Sequence, residues 1–244
     1  MSIQTKIHDT ADLVAQSAAQ TIATLIRKKP NAVIGLATGS TPVKTYAELI
    51  HLHRENNLSF AKVTTFNLDE YWGLDGDHNQ SYRHFMQDLF FNRIDICTWN
   101  THVPNGKAVD PVLEGKSFEA QIRASGGVDL WLLGIGHNGH IAFNEPGSTI
   151  NSRTRQVDLT QTTIEANTRF FQNQDDVPRK AITAGIATIL DARQILLLAT
   201  GSAKANAIKQ ALQDQPTSQS PASFLQTHAN CTFMLDKEAA SQIA

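Results

Sequence analysis

Cysteine is scarce in this chain. Cys97 and Cys231 are the only two, they lie far apart, and they make no CxxC pair. A disulfide framework is therefore excluded as an organising device, and a reducing, cytoplasmic setting fits. Positive charge is not in surplus either: 21 Lys and Arg stand against 23 Asp and Glu, for a net charge of −2. Nothing in that balance calls for nucleic acid or an anionic membrane as partner, while one local basic pocket would suffice for a small anionic ligand. No apolar run reaches the roughly 18 residues of a membrane span. The first residues, MSIQTKIHDTADLVAQSAAQ, lack the basic stretch and apolar core of a signal peptide. What remains is an ordinary globular composition, 41% hydrophobic and 18% charged over 244 residues.

The hydrophobic pattern alternates in type along the chain. Residues 11–29 carry apolar side chains at helical spacing, with Asp9 and Thr10 as candidate N-caps. AVIGLAT (32–38) is a short, nearly continuous apolar run, as expected of a first strand covered on both faces. Pro42 then opens a helix to about residue 55. Further strands are expected at 62–69, 128–134, 194–201 and 231–236, with an exposed or edge strand at 153–159. Helices are expected at 80–92, 112–125, 181–191 and 202–213, and the polar stretch QDQPTSQSPAS (213–223) reads as a surface loop. Strands alternating with helices predict a doubly wound, Rossmann-like α/β fold. Its sheet is expected to be mostly parallel, with helices on both faces, and residues 1–244 are read as one domain.

Such folds bind ligands beyond the carboxyl ends of their strands. Four informative loops fall there. ATGSTP (37–42) sets Thr38, Gly39, Ser40 and Thr41 between a strand and a helix N-terminus, where free N–H groups suit a phosphate. It lacks the GK[ST] of a nucleotide-binding P-loop; a plain capped glycine turn would read the same. ATGSAK (199–204) nearly repeats that wording and adds Lys204, a charge suited to phosphate. FNLDEYWG (66–73) ends a strand with adjacent carboxylates, Asp69 and Glu70. Neighbours on a strand point to opposite faces, so one of the two is expected to face the cleft, where partial desolvation would suit a general base. Helix capping is the alternative for either.

The fourth loop, GIGHNGHIAFNEPG (134–147), has glycines at 134, 136 and 139 and histidines at 137 and 140. The HxxH spacing lacks the helical geometry of a zinc motif, and no Cys or Asp stands at ligand spacing, so no metal is expected. The bare GxGxxG pattern leads to Pro146 instead of a long helix, which disfavours a dinucleotide. His140 followed by Glu145 suggests a general base whose tautomer a carboxylate fixes; a buried structural histidine is the alternative. Arg169, beside two aromatics in NTRFF, is a candidate for an anionic group, with an exposed helix position as the other reading.

Taken together, TGSTP, FNLDEY, GIGHNGHIAFNEPG, SRTR, NTRFF and GSAK resemble, in order, the glucosamine-6-phosphate deaminase (isomerase–deaminase) family. The resemblance implies conversion of D-glucosamine 6-phosphate to D-fructose 6-phosphate and ammonia, with a small sugar phosphate as partner and no cofactor. It implies Asp69 as the enolisation base, His140 as the ring-opening catalyst and Glu145 as its orienting partner. It also implies a phosphate site of Gly39, Ser40, Thr41, Arg169 and Lys204. One position departs: many members carry Asp where this chain has Asn138, which leaves Glu145 alone to supply negative charge beside His140. A basic residue two after SRTR, found in longer allosteric members, is absent. The expectation is therefore a monomer or small homo-oligomer without activation by an N-acetylated sugar phosphate. Residues 151–180 are placed to form a lid. The rival readings are a 6-phosphogluconolactonase and a non-catalytic sugar-phosphate sensor.

Overall fold

A computed structural model describes residues 3–168, 171, 173 and 176–243. In chain order the strands and helices are β1 Gln4–His8, α1 Ala11–Lys28, β2 Val33–Leu36, α2 Val43–Asn56, β3 Thr64–Asn67, β4 Asp69–Tyr71 and α3 Tyr82–Leu89. There follow β5 Thr101–His102, α4 Pro111–Ala124, β6 Leu130–Leu133, β7 Arg155–Asp158 and α5 Gln161–Thr168. The last are β8 Lys180–Thr183, α6 Ile186–Leu190, β9 Ile195–Ala199, α7 Ala205–Gln213 and β10 Cys231–Asp236.

Seven strands form one sheet in the order β1-β10-β9-β6-β2-β3-β5, every pairing parallel. From β2 the chain moves outward through β3 to β5, then returns to β6 on the other side of β2 and continues through β9 to β10. The β2/β6 boundary is thus where the winding reverses. Residues of β2, β6 and β9 are buried throughout, which is why their sequences read as unbroken apolar runs. Two cores flank the sheet. Ile34, Leu36, Leu130, Leu132, Leu196 and Leu198 meet the buried faces of α1, α2 and α3 on one side. On the other side Trp131, Leu133, Phe66 and Phe233 meet α4 and α7. Gly35 makes room for Trp131: a Cβ there would lie 1.6 Å from the indole.

Local chemistry sets the helix starts. The Thr10 hydroxyl accepts from Leu13 N at the head of α1. Asp110 accepts from Val112 N and Leu113 N, with Pro111 opening α4.

The structure departs from the sequence expectation at several places. The segment 62–69 is not one strand; the chain leaves the main sheet at Leu68, and β4 joins an antiparallel three-stranded sheet, β4-β8-β7. Residues 181–191 are not one helix. Lys180–Thr183 is strand β8, and only Ile186–Leu190 is helical. Gly185 separates the two, because the Ser152 carbonyl oxygen would lie 2.1 Å from any Cβ there. The first strand is β1 at Gln4–His8, not residue 32; it is an edge strand, four of its five residues are exposed, and it carries no buried stripe to signal it. The stretch 213–223 is not all surface: Ser220 to Ser223 are buried at the start of a 3-10 helix, Pro221–Thr227. Residues 202–204 likewise form a 3-10 turn before α7. Among the described residues, no helix is long and apolar enough to cross a membrane.

Candidate active site

The loops after β2, β3, β6 and β9 converge on a cavity of about 700 Å³ at the carboxyl edge of the sheet. This is the crevice expected where the winding reverses.

One wall is the turn Thr38–Pro42. Gly39 takes a positive φ of 94°, which its missing side chain permits. α2 starts at once, and no side chain caps it. Its first N–H groups are thus available to an anion. Lys204 lines the same cavity. It pairs with no carboxylate among the described residues, and burial lowers its ammonium pKa. Arg169 lies outside the described residues.

Asp69 and Glu70 divide as alternation requires. Glu70 turns away and accepts from Tyr71 N, Tyr82 N and Arg83 N, which fastens β4 to the start of α3. Capping is the alternative that holds for Glu70. Asp69 faces the cavity and is 5% exposed. Burial, with the neighbouring Glu70 charge, pushes its carboxyl up to about 8. A base with that affinity, poised near neutrality, can take a proton from carbon-bound positions that an ordinary aspartate would leave. Behind it lies an aromatic wall: Tyr71 packs on Tyr82 at 4.8 Å and on Phe143 at 5.8 Å between ring centroids.

The turn after β6 is built around His140. Its carbonyl accepts from Gly136 N at 2.9 Å. The imidazole lies against the Gly136 backbone, where a Cβ would come within 2.3 Å of the ring. Gly139 has φ 81° and abuts Ser220, so the 217–223 segment buttresses the turn, with Ala222 N donating to Gly139 O. His140 Nδ1 stands 3.5 Å from Glu145 Oε2, an ion-pair separation, with the side chains 25% and 10% exposed. Asn138 Nδ2 donates to the same Oε2 at 2.7 Å, while its Oδ1 accepts from His140 N at 3.2 Å. The Thr163 hydroxyl donates to Oε1 at 2.6 Å. Burial raises the Glu145 carboxyl pKa, but the His140 ring, the Thr163 hydroxyl and the Asn138 amide outweigh it and hold it at about 2. Asn138 thus does what an aspartate could not: it donates to the carboxylate.

Of the sequence candidates, Thr38, Gly39, Ser40, Thr41, Asp69, His140 and Lys204 line the one cavity, and Asn138 and Glu145 stand directly behind His140. Two residues of the site were missed. Asn144 donates to Ile141 O and Ala184 O and accepts from Arg155 Nη1, tying the turn to the residue that follows β8 and to β7. Thr163 reaches Glu145 from α5. The FNEP wording pointed toward Asn144; nothing local pointed toward Thr163. Among the described residues, no group of three or more His, Cys, Asp or Glu is arranged to hold a metal ion.

A cleft at the winding reversal, holding a desolvated carboxylate and a histidine–glutamate pair beside an uncapped helix start, defines an α/β enzyme scaffold for a small anionic substrate. The chain belongs to the glucosamine-6-phosphate isomerase/6-phosphogluconolactonase family, whose profile matches residues 6–234. It is 52% identical over 240 residues to glucosamine-6-phosphate deaminase 2 of Giardia intestinalis, covering 98% of this chain and 90% of that one. A glucosamine-6-phosphate deaminase of Shewanella loihica is 51% identical over 238 residues, covering 98% and 88%. Among solved structures, a monomeric glucosamine-6-phosphate deaminase superposes with a TM-score of 0.96 at 45% identity, covering 98% of this chain and 100% of that one. A 6-phosphogluconolactonase from Trypanosoma brucei shares the fold, with a TM-score of 0.79 at 23% identity over 100% of this chain and 99% of that one.

Proposed function

We propose that this chain is a glucosamine-6-phosphate deaminase, converting D-glucosamine 6-phosphate to D-fructose 6-phosphate and ammonia. The observation that carries the reading is the placing of Asp69 and His140 on one cavity whose far wall is the uncapped start of α2 with Lys204. Relatives near 50% identity that carry this activity support it.

In this reading the phosphate docks on Thr38–Thr41 and Lys204, with Arg169 as a further anion partner. His140 takes the proton of the C1 hydroxyl and gives one to the ring oxygen, opening the sugar. Glu145 favours the imidazolium that forms between the two transfers. Asp69 then removes the C2 proton, and the C1 oxygen takes up a proton from the C2 ammonium. Asp69 returns its proton to C1, which leaves a C2 iminium. Water adds there, and ammonia departs. Each positioned proton transfer contributes about 10²–10⁴-fold; orientation by the phosphate site supplies much of the remainder. One domain carries the whole reaction, acting as a monomer or small homo-oligomer in the cytoplasm.

The test is ammonia release from glucosamine 6-phosphate, run beside hydrolysis of 6-phosphogluconolactone. Ammonia release supports the deaminase. Lactone consumption with no ammonia would reverse the assignment.

A further inference from the structure

Glu145 has two oxygens with separate tasks. Oε2 faces His140 Nδ1 and accepts from Asn138, both from the same turn. Oε1 accepts from Thr163, which comes from α5, eighteen residues further along. The direction of that second bond is fixed. The Thr160 hydroxyl, at the start of α5, donates to the Thr163 oxygen at 3.0 Å, so the Thr163 proton is left to point at Glu145. A carboxylate held at both oxygens cannot turn about its terminal bond without losing a donor. Since Glu145 is buried, the loss would go uncompensated by water.

The same helix roofs the cavity. Thr162, Thr163 and Asn167 line it, and Ile164 packs with Tyr71 and Phe143 in a small hydrophobic cluster of its own. In this one position α5 both brings a hydroxyl to the histidine–glutamate pair and covers the cavity.

We infer that Thr163 is a positioning residue for the reaction, holding Glu145 so that Oε2 stays aimed at His140 only while α5 is seated over the cavity. The inference rests on the deaminase reading above. It makes the His140 pair competent when the pocket is covered and slack when it is open. Ring opening then proceeds on enclosed substrate.

The test is steady-state ammonia release by the wild type, Thr163→Val and Thr163→Ser. Valine keeps the shape and removes the donor; serine keeps the donor. Thr163→Val is expected to lower kcat roughly tenfold, as for loss of a partner that orients a catalytic group, with KM within about twofold. Thr163→Ser is expected to return kcat to within about twofold of wild type. Thermal unfolding establishes that each variant is folded, and Thr163→Ala replaces valine if the latter does not fold. Unchanged kcat in Thr163→Val, a loss confined to KM, or an equal kcat loss in Thr163→Ser overturns the inference while leaving the deaminase standing. A wild type that releases no ammonia overturns the deaminase reading, and this inference falls with it.

Discussion

Replacing Asp69 by asparagine tests catalysis and folding with one change. The Asp69 carboxyl is pushed from the ordinary 3.8 to about 8, first by burial and then by Glu70. The fold thus prefers the protonated form. For a group raised in this way, stability is full below pH about 4 and declines as pH rises toward 8, because only the unfolded chain releases the proton in that window. One proton corresponds to about 1.4 kcal/mol per pH unit, so between pH 5 and pH 7 the wild type loses about 3 kcal/mol through this residue. Asparagine has no proton to lose. The stability of Asp69→Asn relative to wild type is expected to rise by that amount across the window, or about 5–10 °C in Tm for a chain of this size. Glu70 is common to both proteins and cancels in the difference. Urea or thermal unfolding at pH 5, 6 and 7 measures it, beside ammonia release, where kcat is expected to fall at least about 100-fold with KM little changed. A stability difference that does not vary with pH would refute the desolvated carboxylate. Wild-type turnover in the variant would refute its role as base.

Four further outcomes follow from the same geometry. In the wild type, kcat/KM is expected to rise with pH up to about 8 as Asp69 of the free enzyme ionises; a pH–rate profile that is level from 6 to 8 contradicts it. Lys204→Ala removes the lysine that lines the cavity and is expected to raise KM about 10- to 100-fold with little change in kcat, the usual worth of a hydrogen bond to a charged group. Asn138→Asp exchanges a donor for a second carboxylate 2.7 Å from Glu145. The depressed Glu145 carboxyl contributes stability above pH about 4.5 that is lost as pH falls toward 2; the variant is expected to lose about 1–3 kcal/mol of that near pH 6, read by urea unfolding. Gly35→Ala drives a methyl into the Trp131 indole and is expected to cost about 1–3 kcal/mol or more, measured the same way.

The parallel sheet was legible because its central strands are buried on both faces: VIGL, LWLL and ILLLA carry no polar residue. β1 was not legible, since an edge strand with only Ile7 apolar offers no alternation to read. β8 was hidden because KAIT runs through Ala184 into GIATIL with no polar break; the break at Gly185 depends on a carbonyl from Ser152, far away in sequence. In the site, the strand-end loops could be found because glycine, small hydroxyl residues and charge cluster there. The split between Asp69 and Glu70 followed from strand alternation alone. Which donors reach Glu145 could not be read: Thr163 sits in a plain run of threonines, and its role arises only when α5 folds back over the turn. The bond from Arg155 to Asn144 needs the antiparallel sheet that the sequence did not suggest.

The reversal of winding between β2 and β6 has an engineering consequence. The cleft arises because two adjacent strands send their loops in opposite directions, so its location is a property of the chain's path and owes nothing to the particular side chains displayed there. Sequence demands separate only in part: in the loop after β6, Ile135 and Ile141 belong to the buried core, and Asn144 is bonded to Ala184 and Arg155. A graft that exchanged residues 38–41 for a turn of equal span is expected to keep a cleft in the same spot, whereas one of 134–147 would also have to replace the buried Ile135, Ile141 and Asn144. The scaffold is in this sense a socket whose first turn is replaceable and whose turn after β6 is part of the frame.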